Sequence, residues 1–360
     1  MPHSETKDAD IPIISISHPT LEVAQQVLSA ASTHGFLFIC NDGSILPTSS
    51  INKMFDLSAR VFSQPTIQKA THAIHTPEAG GLNCGWVRMS GESLDPSHPG
   101  DPKEAFNIAP PTSSSPLQPL PSPLSSSATE ICDFLGSCHD LCTRILTLLG
   151  AALRIPEEEG GESWFADRHD ESKGPSGTIF RMLYYPATTA QRGEGEQRIR
   201  AGAHSDYGSI TLLFRLPGQP GLEILKPDGT WAPVPVNPPS PTSNSSSDDD
   251  AKEMGSPPIL VNIGDLLCFW TNGMLKSTVH RVTFSGGEER YSMAYFCHPL
   301  DGARLEAVPG AVIQAYGDKG REEVGRQRER LGLGGGAGSE VLTAKEHLDR
   351  RLKVTYGLKD

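Results

Sequence analysis

Apolar residues recur along this chain at two different periods, and the change from one to the other organises it. Leu21, Ala24, Val27, Leu28 and Ala31 follow a spacing of three and four residues, as do Ile51, Met54, Phe55, Ala59 and Phe62. That spacing predicts two amphipathic helices, the first opening at about Thr20 and stopping at Gly35. A short strand over residues 11–16 precedes them, and a buried strand over 36–40 lies between them. The longest helical pattern runs over residues 130–153, with Ile131, Phe134, Leu135, Cys138, Leu141, Cys142, Ile145, Leu148 and Leu149 in one stripe. Beyond it the segments shorten and turn residues break them. Strands are predicted at 178–185, 210–215, 222–225, 231–234, 259–263, 266–270, 278–283 and 291–298. Short strands split by turns such as Lys226-Pro227-Asp228-Gly229 suit an antiparallel double-sheet jelly roll.

Three stretches fit neither period. Residues 109–127 are dense in Pro and Ser and read as an irregular surface loop. Residues 237–258 carry Pro, Ser and Asp248-Asp249-Asp250, with too little apolar material to offset the entropy of ordering, and read as a disordered insertion. Residues 317–339 are charged and Gly-rich before a helical pattern resumes over 342–356, which suits a lid or a solvated tail. The expected class is mainly β with flanking helices around a double-stranded β-helix (jelly-roll) core. One integrated domain is expected: an N-terminal α/β region (1–130) packing on the barrel, a bracing helix and connection (131–177), the core (178–300) and a C-terminal helical segment (301–360).

Charge and cysteine usage narrow the function classes. The 43 acidic residues outnumber the 31 basic ones and give a net charge of -12, which argues against a nucleic-acid or anionic-membrane surface. The polar start, Met-Pro-His-Ser-Glu-Thr-Lys-Asp, has no secretory pattern, and no apolar run reaches membrane-spanning length. The seven cysteines are odd in number and scattered, with no C-x-x-C pair, so reduced core thiols in a cytoplasmic protein are expected rather than a zinc site.

The chemistry concentrates late in the chain. In the run Ala203-His204-Ser205-Asp206, alternation along a strand lets His204 and Asp206 share a face ahead of the apolar segment from Ser209. With a distant His280 they make two imidazoles and one carboxylate, the facial set of non-haem Fe(II) oxygenases, which leaves coordination positions open. The bland alternative is a pair of surface groups at a strand end. Arg290 and Ser292 also share a strand face, and a guanidinium fork beside a hydroxyl suits a carboxylate.

These motifs, with Ile11-Pro12-Ile13-Ile14, Gly35-Phe36-Leu37-Phe38-Ile39, the stretch 101–107 and Tyr184-Tyr185-Pro186, resemble the isopenicillin N synthase-like family of Fe(II)/2-oxoglutarate-dependent dioxygenases over most of residues 11–300. The resemblance implies Fe(II), with 2-oxoglutarate as cosubstrate and dioxygen as oxidant. It implies oxidation of an unactivated C–H bond of a small molecule, in secondary metabolism, with release of succinate and CO2. It puts the metal on His204, Asp206 and His280, and the distal carboxylate of 2-oxoglutarate on Arg290, Ser292 and Tyr185. Phe296, Trp86, Asn107 and Arg181 become candidates for the substrate cavity. Two departures stand out: Asn41-Asp42-Gly43 where an Asn-His-Gly is usual, and Leu183 where the family usually has Asn. The rival readings are an oxidase that uses no 2-oxoglutarate and a non-catalytic jelly-roll binding protein.

Overall fold

The computed structural model of the chain describes residues 7–95, 100–112, 117–187, 198–238, 257–284, 287–330 and 341–358. Residues 239–256 of the expected insertion at 237–258 lie outside the described residues.

Among the described residues, twelve strands form two sheets. In chain order they are β1 (Ile13–Ile14), β2 (Phe36–Ile39), β3 (Gly85–Val87), β4 (Glu104–Ile108), β5 (Ile179–Tyr185) and β6 (Arg198–His204). They continue with β7 (Ile210–Arg215), β8 (Leu222–Leu225), β9 (Trp231–Pro233), β10 (Ile259–Ile263), β11 (His280–Phe284) and β12 (Arg290–Cys297). The larger sheet has the order β1-β2-β10-β7-β12-β5-β4-β3 and the smaller β6-β11-β8-β9. Neighbours that are distant in sequence, such as β10 between β2 and β7, are the crossings expected of a double-stranded β-helix.

One face of the large sheet is covered by helices. The helix Ala128–Leu153 buries its apolar stripe there, with Phe134 at 5.3 Å from Phe180 and 5.4 Å from Phe214 between ring centroids. The helices Leu21–Thr33 and Thr48–Phe62 extend the same layer, and Thr20 caps the first by accepting from the Val23 N–H at 3.2 Å. The other face turns toward the small sheet. Paired residues on neighbouring strands share a face, so the register writes that inner face as rows. One row is Asn107–Arg181–Ala294–Leu213 across β4, β5, β12 and β7. A second is Ile179–Phe296–Thr211–Asn262 across β5, β12, β7 and β10.

One predicted element differs, and one strand escaped prediction. Residues 266–270 are not a strand but the end of a helix, Asp265–Trp270. Leu266, Leu267, Cys268 and Trp270 are buried on every side, and a short apolar run carries no period to separate the two states. The strand β6 was also hidden, because Arg198–His204 is rich in Arg, Gly and Ala. At the C-terminus the helix Ala344–Tyr356 is docked rather than solvated. It opens with a capping box between Thr343 and Glu346, and it buries Leu348 and Leu352.

Candidate metal centre and active-site cavity

His204 closes β6 and His280 opens β11, and the two are directly paired in register, with ring centroids 4.3 Å apart. Asp206 lies two residues past the end of β6, not on a strand that runs on from 209. Its turn is clamped to the turn after β10: the Asp265 N–H donates to the Asp206 carbonyl at 2.9 Å, and the Gly264 N–H to the Ser209 carbonyl at 2.9 Å. A side chain on Gly264 would collide with the Gly208 carbonyl, so this approach requires glycine. The donor atoms of His204, Asp206 and His280 all lie within 4.8 Å of one another.

Hydrogen bonds aim these donors. His204 Nδ1 faces the Gly202 carbonyl at 2.7 Å and His280 Nδ1 the Thr278 carbonyl at 3.1 Å, so each Nδ1 carries the proton and each Nε2 keeps a lone pair. Asp206 Oδ2 accepts from Thr211 Oγ1 at 2.5 Å and Asn262 Nδ2 at 2.6 Å. Oδ1 lies 3.7 Å from His204 Nε2 and 3.5 Å from His280 Nε2. Burial raises the pKa of Asp206, but the two imidazoles overcome it and hold the carboxyl well below its usual range. Burial, with His280 beside it, drives His204 down to about 3 and keeps it neutral. Burial lowers the pKa of His280, but Asp206 outweighs it and raises it. With both rings deprotonated, two imidazoles and one carboxylate would fit a divalent ion, and of the described residues only this group has a metal-ligand arrangement.

The triad opens into a cavity between the sheets, with about 120 Å³ available to the centre of a water molecule. Arg290 and Ser292 sit in its wall, 3.2 Å apart from Nη1 to Oγ, and Tyr185 is paired with Arg290 in register. The Arg290 guanidinium is buried, donates from Nε to the Pro220 carbonyl at 3.0 Å, and has no carboxylate partner among the described residues. Burial lowers its pKa, and burial with Arg290 nearby brings that of Arg215 down to about 9. Two nearby cations with no acid partner among the described residues favour an anionic ligand. Leu183, where the family usually has Asn, is paired with Ser292 and adds an apolar wall.

Of the substrate candidates, Phe296, Asn107 and Arg181 line the cavity and Trp86 does not. Trp86 pairs with Phe106, one residue out of step with Asn107, so alternation turns it to the opposite face. There its indole N–H donates to Glu104 Oε2 at 2.7 Å, and Lys69 Nζ lies 5.4 Å from its ring centre. Sequence reasoning missed Thr211, Asn262, Glu92, Lys103 and Tyr207 in the wall, and the contribution of Leu348, Leu352 and Tyr356 from the C-terminal helix. The one signal on offer was Asn262, a polar break in the apolar run Ile259–Ile263.

The chain matches the 2OG-Fe(II) oxygenase superfamily over residues 176–299, and over 11–124 the N-terminal region described as that of a non-haem dioxygenase in morphine synthesis. It is 30% identical to a Schizosaccharomyces pombe protein of the UPF0676 group, over 97% of this chain and 93% of that one. It is 28% identical to the proline hydroxylase buaE of Petromyces alliaceus, over 83% and 88% of the two chains. Its fold is similar to that of a full-length Neurospora crassa protein crystallised in complex with alpha-KG and thymine, with a TM-score of 0.69, 25% identity and 96% of each chain covered. No helix among the described residues is long and apolar enough to cross a membrane. A jelly roll whose paired strands β6 and β11 bring two histidines to an aspartate, beside a buried arginine with no carboxylate partner among the described residues, agrees with these matches, and the chain belongs to the 2OG-Fe(II) oxygenase superfamily.

Proposed function

We propose that this protein oxidises an unactivated C–H bond of a small molecule, in secondary metabolism, using Fe(II), 2-oxoglutarate and dioxygen and releasing succinate and CO2. His204, Asp206 and His280 hold the metal, and Arg290 with Ser292 and Tyr185 holds the distal carboxylate of 2-oxoglutarate. Iron(II) and 2-oxoglutarate, when bound, supply the oxidising chemistry: dioxygen takes two electrons from decarboxylation of the keto acid and two from the substrate. The residues of the chain orient both partners, exclude water and fix the imidazole tautomers.

The observation that carries this reading is Arg290, a buried cation beside a hydroxyl with no protein carboxylate among the described residues to neutralise it. A ligand carboxylate completes the fork. The cavity volume supports a small substrate, and kinship to a fungal proline hydroxylase supports the metabolic assignment. Anaerobic addition of Fe(II) and then 2-oxoglutarate tests it. A visible metal-to-ligand charge-transfer band is expected from the unaltered protein and none from Arg290→Met at the same 2-oxoglutarate concentration. An unaltered protein that binds iron but forms no band with 2-oxoglutarate overturns the reading.

A further inference from the structure

One side of the cavity wall, at β4 and β5, is built from paired charges rather than from apolar side chains. Glu92, in the loop between β3 and β4, is buried and its Oε1 accepts from Arg181 Nη2 at 2.6 Å and from Lys103 Nζ at 2.9 Å. Lys103 also reaches Asp101 Oδ2 at 2.6 Å. Burial works against an ionised Glu92, but the two cations outweigh it and hold the carboxyl far below its usual range. Two acids and two bases thus cancel within one wall.

The cluster is incomplete as a purely structural one. Asn107 Oδ1 is buried without a hydrogen-bond partner, whereas the buried Tyr356 hydroxyl stands beside Glu92 and Arg181 and serves that side of the cluster. A buried acceptor that stays unpaired destabilises the fold. Asn107 cannot turn its amide to mend this, because Nδ2 donates to both the backbone carbonyl and the Oδ1 of Asn83, each at 3.0 Å. Asn107 and Arg181 are directly opposed on β4 and β5, which sets their side chains about 5 Å apart on one face. A donor and an acceptor therefore stand side by side. On the far side of Arg181 the row continues with Ala294, whose methyl leaves space, and Phe296 offers a ring in the next row.

We propose that Arg181 and Asn107 read the cis-amide edge of a small neutral ring, a lactam or cyclic imide, whose C=O accepts from Arg181 and whose N–H donates to Asn107 Oδ1. This rests on the proposed iron and 2-oxoglutarate reading and adds the substrate class to it. Charge selects the neutral group. A carboxylate on Arg181 would face Glu92, which already neutralises that arginine, and an ammonium at Asn107 would face Arg181 and Lys103.

The full-length protein is loaded anaerobically with Fe(II) and 2-oxoglutarate and the charge-transfer band recorded, which tests the metal site by itself. Succinate release in air is then measured with glutarimide, uracil and δ-valerolactam, with their N-methyl derivatives, and with cyclohexanecarboxylate and cyclohexylamine. At least one N–H amide is expected to raise succinate release about tenfold or more over the protein alone. N-methylation is expected to lower its kcat/KM by about tenfold to a hundredfold, the cost of one lost buried hydrogen bond. Asn107→Leu should shrink that N–H preference to roughly threefold or less, and Arg181→Met should lower kcat/KM for both forms. The ligand series on the unaltered protein decides the matter even if a variant does not fold. A band followed by stimulation from the carboxylate or the amine alone, from no compound, or equally from N–H and N-methyl forms overturns this inference and leaves the metal site standing. No band overturns both.

Discussion

At the scale of single residues, the site depends on groups that never touch the ion. Asn262 and Thr211 occupy one oxygen of Asp206 and leave the other for the metal. Replacing Asn262 with Leu should weaken Fe(II) binding by about tenfold to a hundredfold, read by metal titration, while Asp206→Ala should abolish binding. Arg290→Met should raise the Kd for 2-oxoglutarate by an amount worth roughly 2–5 kcal/mol, measured by anaerobic titration of the charge-transfer band. The metal ligands were legible because two sit two residues apart and the family order places the third. Asn262, Thr211 and Glu92 were not, since their roles depend on strand register and on a loop crossing. Trp86 shows the same limit: its neighbour Asn107 across the ladder is one position out of step, and that single residue separates a cavity wall from a core.

At the scale of elements, the C-terminal helix forms part of the cavity wall. Leu348 and Leu352 line the cavity, Arg351 Nη2 reaches the Ser205 carbonyl at 3.3 Å, and the Ser93 N–H donates to the Thr355 carbonyl at 3.1 Å. A chain ending before Thr343 should keep the charge-transfer band but lose most substrate-stimulated succinate release, because water then reaches the site. Retained full stimulation would show that the helix is dispensable. The turn pair is less forgiving. Gly264→Ala sets a methyl against the Gly208 carbonyl and should cost more than about 2 kcal/mol in urea unfolding of the apoprotein. The long amphipathic helix and most strands followed from periodicity. Residues 265–270 did not, because an apolar stretch that is buried all round looks alike as helix or strand.

At the scale of the whole molecule, buried histidines make the apoprotein sensitive to acid. Burial lowers His298 to about 3 and His347 to about 4. A depressed folded pKa means that the unfolded chain binds more protons as pH falls below its own value, near 6.5. Stability should therefore fall from about pH 6.5 downward, by roughly 1.4 kcal/mol per pH unit for each such residue. Urea unfolding at pH 7 and pH 5 should show this, and His347→Leu should flatten the slope. A slope unchanged by that substitution would remove His347 from the account. The metal site has a mechanical consequence as well. His204 and His280 belong to the small sheet, whereas the hydrogen bonds on Asp206 come from β7 and β10 of the large one. A bound iron would thus tie the two leaves of the sandwich together through these residues. Loading it should slow amide exchange along β6 and β11 together with β7 and β10, and stripping it should let the two leaves breathe independently.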